Sequence, residues 1–280
     1  LWKFATKITY YSSSTALSYP KSSLQTDDLP PQPAQHPSPH HLLLRYPPRF
    51  TLGSGYCLTP DSKIFVLGLS RTGTTSVHAA LVLMGYGSIH YPANAARRWL
   101  AGSFRGDSLA HYDACLDLPT PLYYPQLDER YPGSKFILLE RDLDSWLDSV
   151  KRQWQTASKP SPKTWLRDSV RIAVYGTVNF NASRLSHVYR THVKNVQDYF
   201  KDRSDDFLSL NITEGDGWEK LCKFLGRDKP DSVADFPRLR TPYIGALASV
   251  KSEEVASKGQ ELLALIRGES NNNFQQVPEA

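Results

Sequence analysis

The sequence predicts an α/β fold of three layers, αβα, with a central parallel sheet between helices. Two short, almost wholly apolar runs, Ile64–Leu69 and Lys135–Leu139, read as strands covered on both faces. Strand-like and helix-like segments then alternate along residues 62–267, the order that builds a parallel sheet with crossover helices. A third observation is the run Lys63–Met84, KIFVLGLSRTGTTSVHAALVLM, which reads as strand, Gly-rich turn and helix. Its Gly68 and Gly73 have the spacing of the G-x-x-x-x-G half of a P-loop.

The elements follow in order. Residues 1–25 carry Lys3, Lys7 and Lys21 and many Ser and Thr but no acid, which suits either the tail of an organellar transit peptide or a disordered N-terminus. Residues 29–48 hold Pro30, Pro31, Pro33, Pro37, Pro39, Pro47 and Pro48 and read as an extended linker. Residues 1–61 are therefore set apart as a Ser/Pro-rich segment. The folded domain, 62–267, opens with strand Ile64–Leu69 and helix Ser76–Tyr86, with Val77, Leu81 and Met84 on one stripe and Gly85 closing it. Residues 93–113 read as polar, partly helical and irregular. Strand Lys135–Leu139 follows a Tyr131-Pro132-Gly133 turn. Helix Asp142–Trp154 then repeats apolar residues at Leu143, Trp146 or Leu147, Val150 and Trp154, with Asp142 and Asp144 suiting its start. Helices at 163–179 and 184–200, strand Phe207–Ile212, helix Gly217–Leu225 and helix 253–267 complete the series. Residues 268–280 should fray.

Bulk composition excludes several classes. The 280 residues are 40% apolar and 22% charged, ordinary for a globular protein with a proper core. Net charge is +5 without the Lys/Arg blocks of a nucleic-acid binder. No apolar run reaches the roughly 18 residues that span a bilayer. Cys57, Cys115 and Cys222, with no C-x-x-C pair, form neither a disulfide framework nor a zinc site. They fit a reducing, cytoplasmic setting, while a chain starting at Leu1 leaves organellar or secretory targeting open. Arg105-Gly106-Asp107 is a chance tripeptide.

The loop's chemistry is specific in what it lacks. After Gly73 stand Thr74 and Thr75, where a nucleotide-hydrolysing P-loop has Lys and then Ser/Thr to meet the β/γ-phosphates and Mg²⁺. The cation inside the loop is Arg71. Arg71, Thr72, Thr74 and Thr75 set a guanidinium and hydroxyls beside the open amides of a helix start, a donor-only site suited to an anion. A second constellation, Glu140-Arg141-Asp142 to Ser149, follows strand Lys135–Leu139, and ligands of open α/β sheets bind at the carboxyl ends of strands. Arg141 reads either as the partner of a neighbouring carboxylate or, beside the loop, as a second anion site.

The GLSRTGTTS loop with KFILLERDLDSWLDSV downstream, joined by CLDLP, LDERYPGSKFILLERD and GDGWEKLCKFLGRDKPDSVADFP, resembles the sulfotransferases that use 3′-phosphoadenosine 5′-phosphosulfate (PAPS). It is most similar to their P-loop sulfotransferase-like branch in microbes, algae, fungi and invertebrates. The likeness covers roughly residues 62–240. It implies a P-loop nucleoside-triphosphate-hydrolase-like fold, PAPS as donor, 3′,5′-ADP as product and no metal. By position, Ser70, Arg71, Thr72, Gly73, Thr74, Thr75 and Ser76 match the 5′-phosphosulfate loop, and Arg141 with Ser149 match the pair that holds the 3′-phosphate. Asp117 takes the place of the catalytic histidine of cytosolic relatives, where it reads as a general base or as a turn residue before Leu118-Pro119. His90 and His111 are rival bases, or ordinary hydrogen-bonded histidines, and His192 is more plainly the latter. The C-terminal Arg-Lys-Gly element of the cytosolic branch has no clear counterpart, and Arg227, Lys229, Arg238 and Arg240 compete to replace it.

The acceptor is expected to be a small molecule, aromatic or lipid-like. Tyr91, Trp99, Phe104, Tyr112, Trp154, Trp165, Tyr175 and Phe180 either line its pocket or pack the core. A P-loop kinase or NTPase, and a non-catalytic nucleotide-binding relative, are the competing readings.

Overall fold

The structure, a computed structural model, describes residues 62–104, 108–157, 164–239 and 245–268. The expectations for residues 1–61 with Cys57, for Arg105-Gly106-Asp107, for Arg240 and for the tail beyond 268 lie outside the described residues.

One sheet is built from β1 (Ile64–Val66), β2 (Ser88–His90), β3 (Ala114–Leu116), β4 (Lys135–Leu139), β5 (Phe207–Leu210) and β6 (Ser249–Val250). Its order is β5-β4-β1-β3-β2-β6. Five strands are parallel, as expected, and β6 pairs antiparallel with β2 as a two-residue edge that the sequence reading missed. Side chains alternate with the strand period of two. Ile64, Val66, Ile137 and Leu139 point to one face, where they meet α1 (Thr74–Leu83), α7 (Trp218–Leu225) and α8 (Val255–Arg267). Phe65, Leu67, Phe136 and Leu138 point to the other, against α2 (Ala93–Leu100), α3 (Tyr124–Arg130) and α6 (Ala182–Phe200). These are the three layers. A further apolar cluster joins α6 to α4 (Leu143–Thr156) and α5 (Trp165–Tyr175) around Trp146 and Tyr175.

Helix α1 departs from the expected single stripe. It begins at Thr74, and all of Thr74–Val82 is buried, because the sheet takes its inner side and Leu262 of α8 packs with Ala79 and Val82 on the outer side. Helix α4 follows its pattern more closely. Asp142 is its N-cap, accepting from the Ser145 amide at 2.9 Å, and Trp146, Ser149 and Val150 turn inward. Strands β2 and β3 and helices α2 and α3 fall where the sequence reading had irregular chain or nothing. Three-residue strands such as Ala114–Leu116 carry too few positions to show a period, and burial on both faces leaves them no alternation. Among the described residues, no helix is long and apolar enough to cross a membrane.

Candidate active site

Four neighbouring strands deliver the predicted site residues to one edge of the sheet. In the order β4-β1-β3-β2, their carboxyl ends lead into Arg141, the loop Gly68–Gly73, Asp117, and His90 with Tyr91. This is the edge where parallel sheets bind ligands.

The loop is held tightly. Thr72 folds back on Leu69, its amide and its hydroxyl donating to the Leu69 carbonyl at 3.2 and 2.8 Å. The Trp146 indole donates to the Ser70 carbonyl at 2.9 Å, and the Tyr175 hydroxyl accepts from the Ser70 amide at 3.2 Å. Gly73 caps α1 at φ 104, a conformation that favours glycine, with Ile212 where a Cβ would project. At Gly68 a Cβ would stand 2.5 Å from Thr72 Oγ1 and 2.7 Å from Leu139 Cβ. Both neighbours are fixed, one by the loop and one by β4. Gly68→Ala is therefore expected to lower stability by about 1–3 kcal/mol, as overpacking does, and to loosen the loop. Thermal melting checks this, and an unchanged melting temperature would contradict it.

Two arginines converge beside α1. The Arg71 Nε donates to Ser149 Oγ at 3.0 Å, and its backbone sits at φ 76. Arg141 donates from Nη1 to the Arg71 carbonyl at 2.9 Å and from Nη2 and Nε to Ser145 Oγ at 2.8 and 3.1 Å. Its backbone is clamped by Tyr189, whose hydroxyl accepts from the Arg141 amide and donates to the Arg141 carbonyl. The carboxylates beside it are occupied elsewhere: Glu140 accepts from Ser209 and Gln197, and Asp142 caps α4. Among the described residues Arg141 forms no ion pair, so the alternative of a neighbouring carboxylate partner is not what the chain builds. Burial and the nearby Arg152 both press on its charge, lowering its pKa from the ordinary arginine value.

A cleft of about 350 Å³ opens here, lined by Arg71, Arg141 and Arg238, by Gly73–Ser76, and by Ile212, Thr213 and Leu239. Among the described residues it contains three guanidiniums and no acid. Arg238 is brought in by the Leu239 amide, which donates to Ser76 Oγ at 3.1 Å. Two of its rivals lie elsewhere: Arg227 covers the Tyr86 ring and Lys229 reaches the Ala234 carbonyl. The hydroxyls are less available than the sequence suggests. That of Thr72 closes the loop, those of Thr74 and Thr75 face His90, and that of Ser76 receives Leu239. The helix start and the arginines are the donors that face outward.

On the other flank lies Asp117, at φ 64. Its Oδ1 accepts from Ser70 Oγ at 3.1 Å, and its Oδ2 is 3.7 Å from His90 Nε2. The same His90 nitrogen is 3.0 Å from Thr74 Oγ1. Burial lowers the pKa of His90 more than Asp117 raises it, which favours a neutral imidazole. His78 behind it is pushed down to about 3 by burial and His90, its ring nitrogens at Ser88 Oγ and the Leu247 carbonyl. His192 contacts the Leu67 carbonyl at 2.8 Å, an ordinary buried histidine as expected. His111 does not reach the site. It precedes β3, at the amino end of that strand, 65% exposed and 3.6 Å from Glu253.

The aromatic residues divide. Trp99 and Phe104 stack with Tyr123 in the core, Tyr112 bonds Ser249 at the sheet edge, and Phe180 packs against the α4–α6 cluster. Tyr175 is buried in that same cluster, with Tyr91 and Trp154 packed against it, and Tyr91 and Tyr175 feel the Asp117 charge. A second cleft, of about 420 Å³, lies between α3 and α6 and takes Leu69 but none of the predicted site residues.

Comparison with known proteins was made on this footing. The family model described as "Sulfotransferase domain" matches residues 63–242. "Ava biosynthesis cluster protein M" of Aspergillus versicolor is 28% identical to this chain over 217 residues, covering 64% of the chain and 81% of that protein.

Proposed function

The chain belongs to the sulfotransferase domain family, and from that premise we propose that it moves a sulfuryl group from PAPS to a hydroxyl or amine of a small-molecule acceptor. The observation that carries this reading is the cleft in which Arg71, Arg141 and Arg238 meet the start of α1 with no acid among the described lining residues. A donor with two separate anionic groups needs such a set, and a Mg²⁺-nucleotide P-loop needs a lysine that is not there. PAPS, when bound, supplies the sulfuryl group and leaves as 3′,5′-ADP.

The chain's own residues divide the work. Arg141 and Ser149, with Arg238 across the cleft, hold the 3′-phosphate. Arg71 and the first amides of α1 face the 5′-phosphosulfate, where fixed donors stabilise charge that grows during transfer. Thr72 and Ser70 keep the loop in shape. Asp117 takes the acceptor's proton, and His90, neutral, stands behind it as a dipole. Cys115 and Cys222 are free thiols, which fits a reducing compartment such as the cytoplasm.

Calorimetric titration with 3′,5′-ADP and with ADP lacking the 3′-phosphate tests the assignment. Arg141→Ala should weaken 3′,5′-ADP by roughly tenfold to a hundredfold, the loss of a charge-assisted contact, and change plain ADP little. Equal affinity of wild type and variant for 3′,5′-ADP would remove Arg141 from the 3′-phosphate. Tight Mg-ATP binding without 3′,5′-ADP binding would overturn the sulfotransferase reading in favour of an NTPase.

A further inference from the structure

We propose that the acceptor carries an oxyanion group besides the hydroxyl that is sulfated, and that Arg171, with Arg167 and Arg97 beside it, binds this group next to the partly buried rings of Tyr91 and Trp154. The inference rests on the sulfotransferase reading and names the substrate class of the same site.

The path starts at Asp117. Ser70 links that carboxylate to Tyr175, bonding Asp117 through its hydroxyl and the Tyr175 hydroxyl through its amide. Tyr175 ends α5, and Arg171 is one turn earlier on the same helix face. Its guanidinium lies 4.6 Å over the ring of Trp154, which meets Tyr175 edge-on at 5.5 Å. Arg171 is thus connected to the proposed base through Trp154, the buried Tyr175 and Ser70.

Arg171 is half-buried, yet among the described residues its guanidinium makes no hydrogen bond or ion pair. Its neighbouring carboxylate, Asp168, already accepts from Arg167 Nε at 2.9 Å and Thr164 Oγ1 at 2.8 Å. Five N–H donors in a partly desolvated cation are costly to leave without an acceptor. Tyr91 shows the same need. It sits at φ 60, and its buried hydroxyl has no partner among the described residues. Burial and Asp117 push the Tyr91 hydroxyl up, and Arg171, Arg167 and Arg97 oppose them. Arg97 stands 6.0 Å over the ring of Trp165, at the mouth of the same group.

Among the described residues, the carboxylates of this group are Asp168, engaged by Arg167, and Asp117, which serves the base position. The Arg171 guanidinium is matched by an acidic group on the ligand, and planar guanidiniums favour carboxylate, phosphate or sulfate. That group takes no part in the bond changes. The acceptor oxygen gains the sulfuryl group, its proton passes to Asp117, and 3′,5′-ADP departs with the electron pair of the broken S–O bond.

The test compares 3-(4-hydroxyphenyl)propanoate, its methyl ester and the matching phosphonate as ligands of the full chain saturated with 3′,5′-ADP, read by calorimetry, and as acceptors, read by initial rates. Either anion should bind about tenfold to a hundredfold more tightly than the ester, and comparison of carboxylate with phosphonate identifies the oxyanion. Arg171→Gln should collapse that ratio while leaving the affinity for 3′,5′-ADP unchanged, and Arg171→Lys should keep part of it. Equal binding of acids and ester by the wild type overturns the inference, as does an Arg171→Gln variant that keeps the preference. Loss of the sulfotransferase reading has a different signature: no 3′,5′-ADP binding, and no turnover of any probe.

Discussion

Asp117→Asn is expected to keep the fold and the 3′,5′-ADP affinity of the wild type while slowing sulfuryl transfer by roughly a hundredfold to ten-thousandfold, the range in which a general base contributes. The substitution is chosen for its backbone. Asp117 sits at φ 64, where asparagine is among the few residues at ease, so Asn avoids the strain that Ala would add. The amide oxygen also preserves the bond from Ser70 Oγ, and with it the link through Ser70 to Tyr175. Only the charge and the basicity go. His90→Gln is the control, since burial holds that imidazole neutral and its ring nitrogen faces Thr74. If His90→Gln costs as much as Asp117→Asn, the two act as one unit. If Asp117→Asn costs little and His90→Gln costs much, the base is His90. Rates with saturating donor, set beside thermal melting of each variant, decide between these.

The sequence made the site more legible than the sheet that carries it. Gly68, Gly73, Arg71 and Arg141 stand out because each lies at or just after the end of a short apolar run, and a chemical residue there has few structural reasons to be present. Strands β2 and β3 were not legible, since three buried residues show no period, yet they carry His90 and Asp117 into place. Preferring Arg238 to Arg227 and Lys229 was also beyond the sequence, because Arg238 comes to the cleft beside one bond from Leu239 to Ser76. The chain reading kept Arg71 and Ser149 in two separate anion sites. The structure joins them by a hydrogen bond across a separation of 78 residues, a contact that no local pattern announces.

That contact makes Arg71 the sharpest test of how the donor site is divided. Arg71→Gly should melt within a few degrees of the wild type, because φ 76 strains any residue with a Cβ by about 1–2 kcal/mol, and relief of that strain offsets the added freedom of glycine in the unfolded chain. The same variant should lose roughly a hundredfold to a thousandfold in kcat, as the removal of a fixed donor to developing charge does elsewhere. Arg71→Ala is the poorer probe, since it keeps the strain and mixes a structural loss with a chemical one. The affinity for 3′,5′-ADP gives the division. If Arg71 acts on the phosphosulfate, Arg71→Gly binds 3′,5′-ADP nearly as well as the wild type and fails only in turnover. If its bond to Ser149 marks its true place, 3′,5′-ADP affinity falls by as much as in Arg141→Ala, and Arg71 belongs with Arg141 and Ser149 on the 3′-phosphate. The first outcome leaves α1's amides and Arg71 as the transfer machinery. The second leaves the amides alone with that task, and kcat should then fall no further than donor occupancy explains.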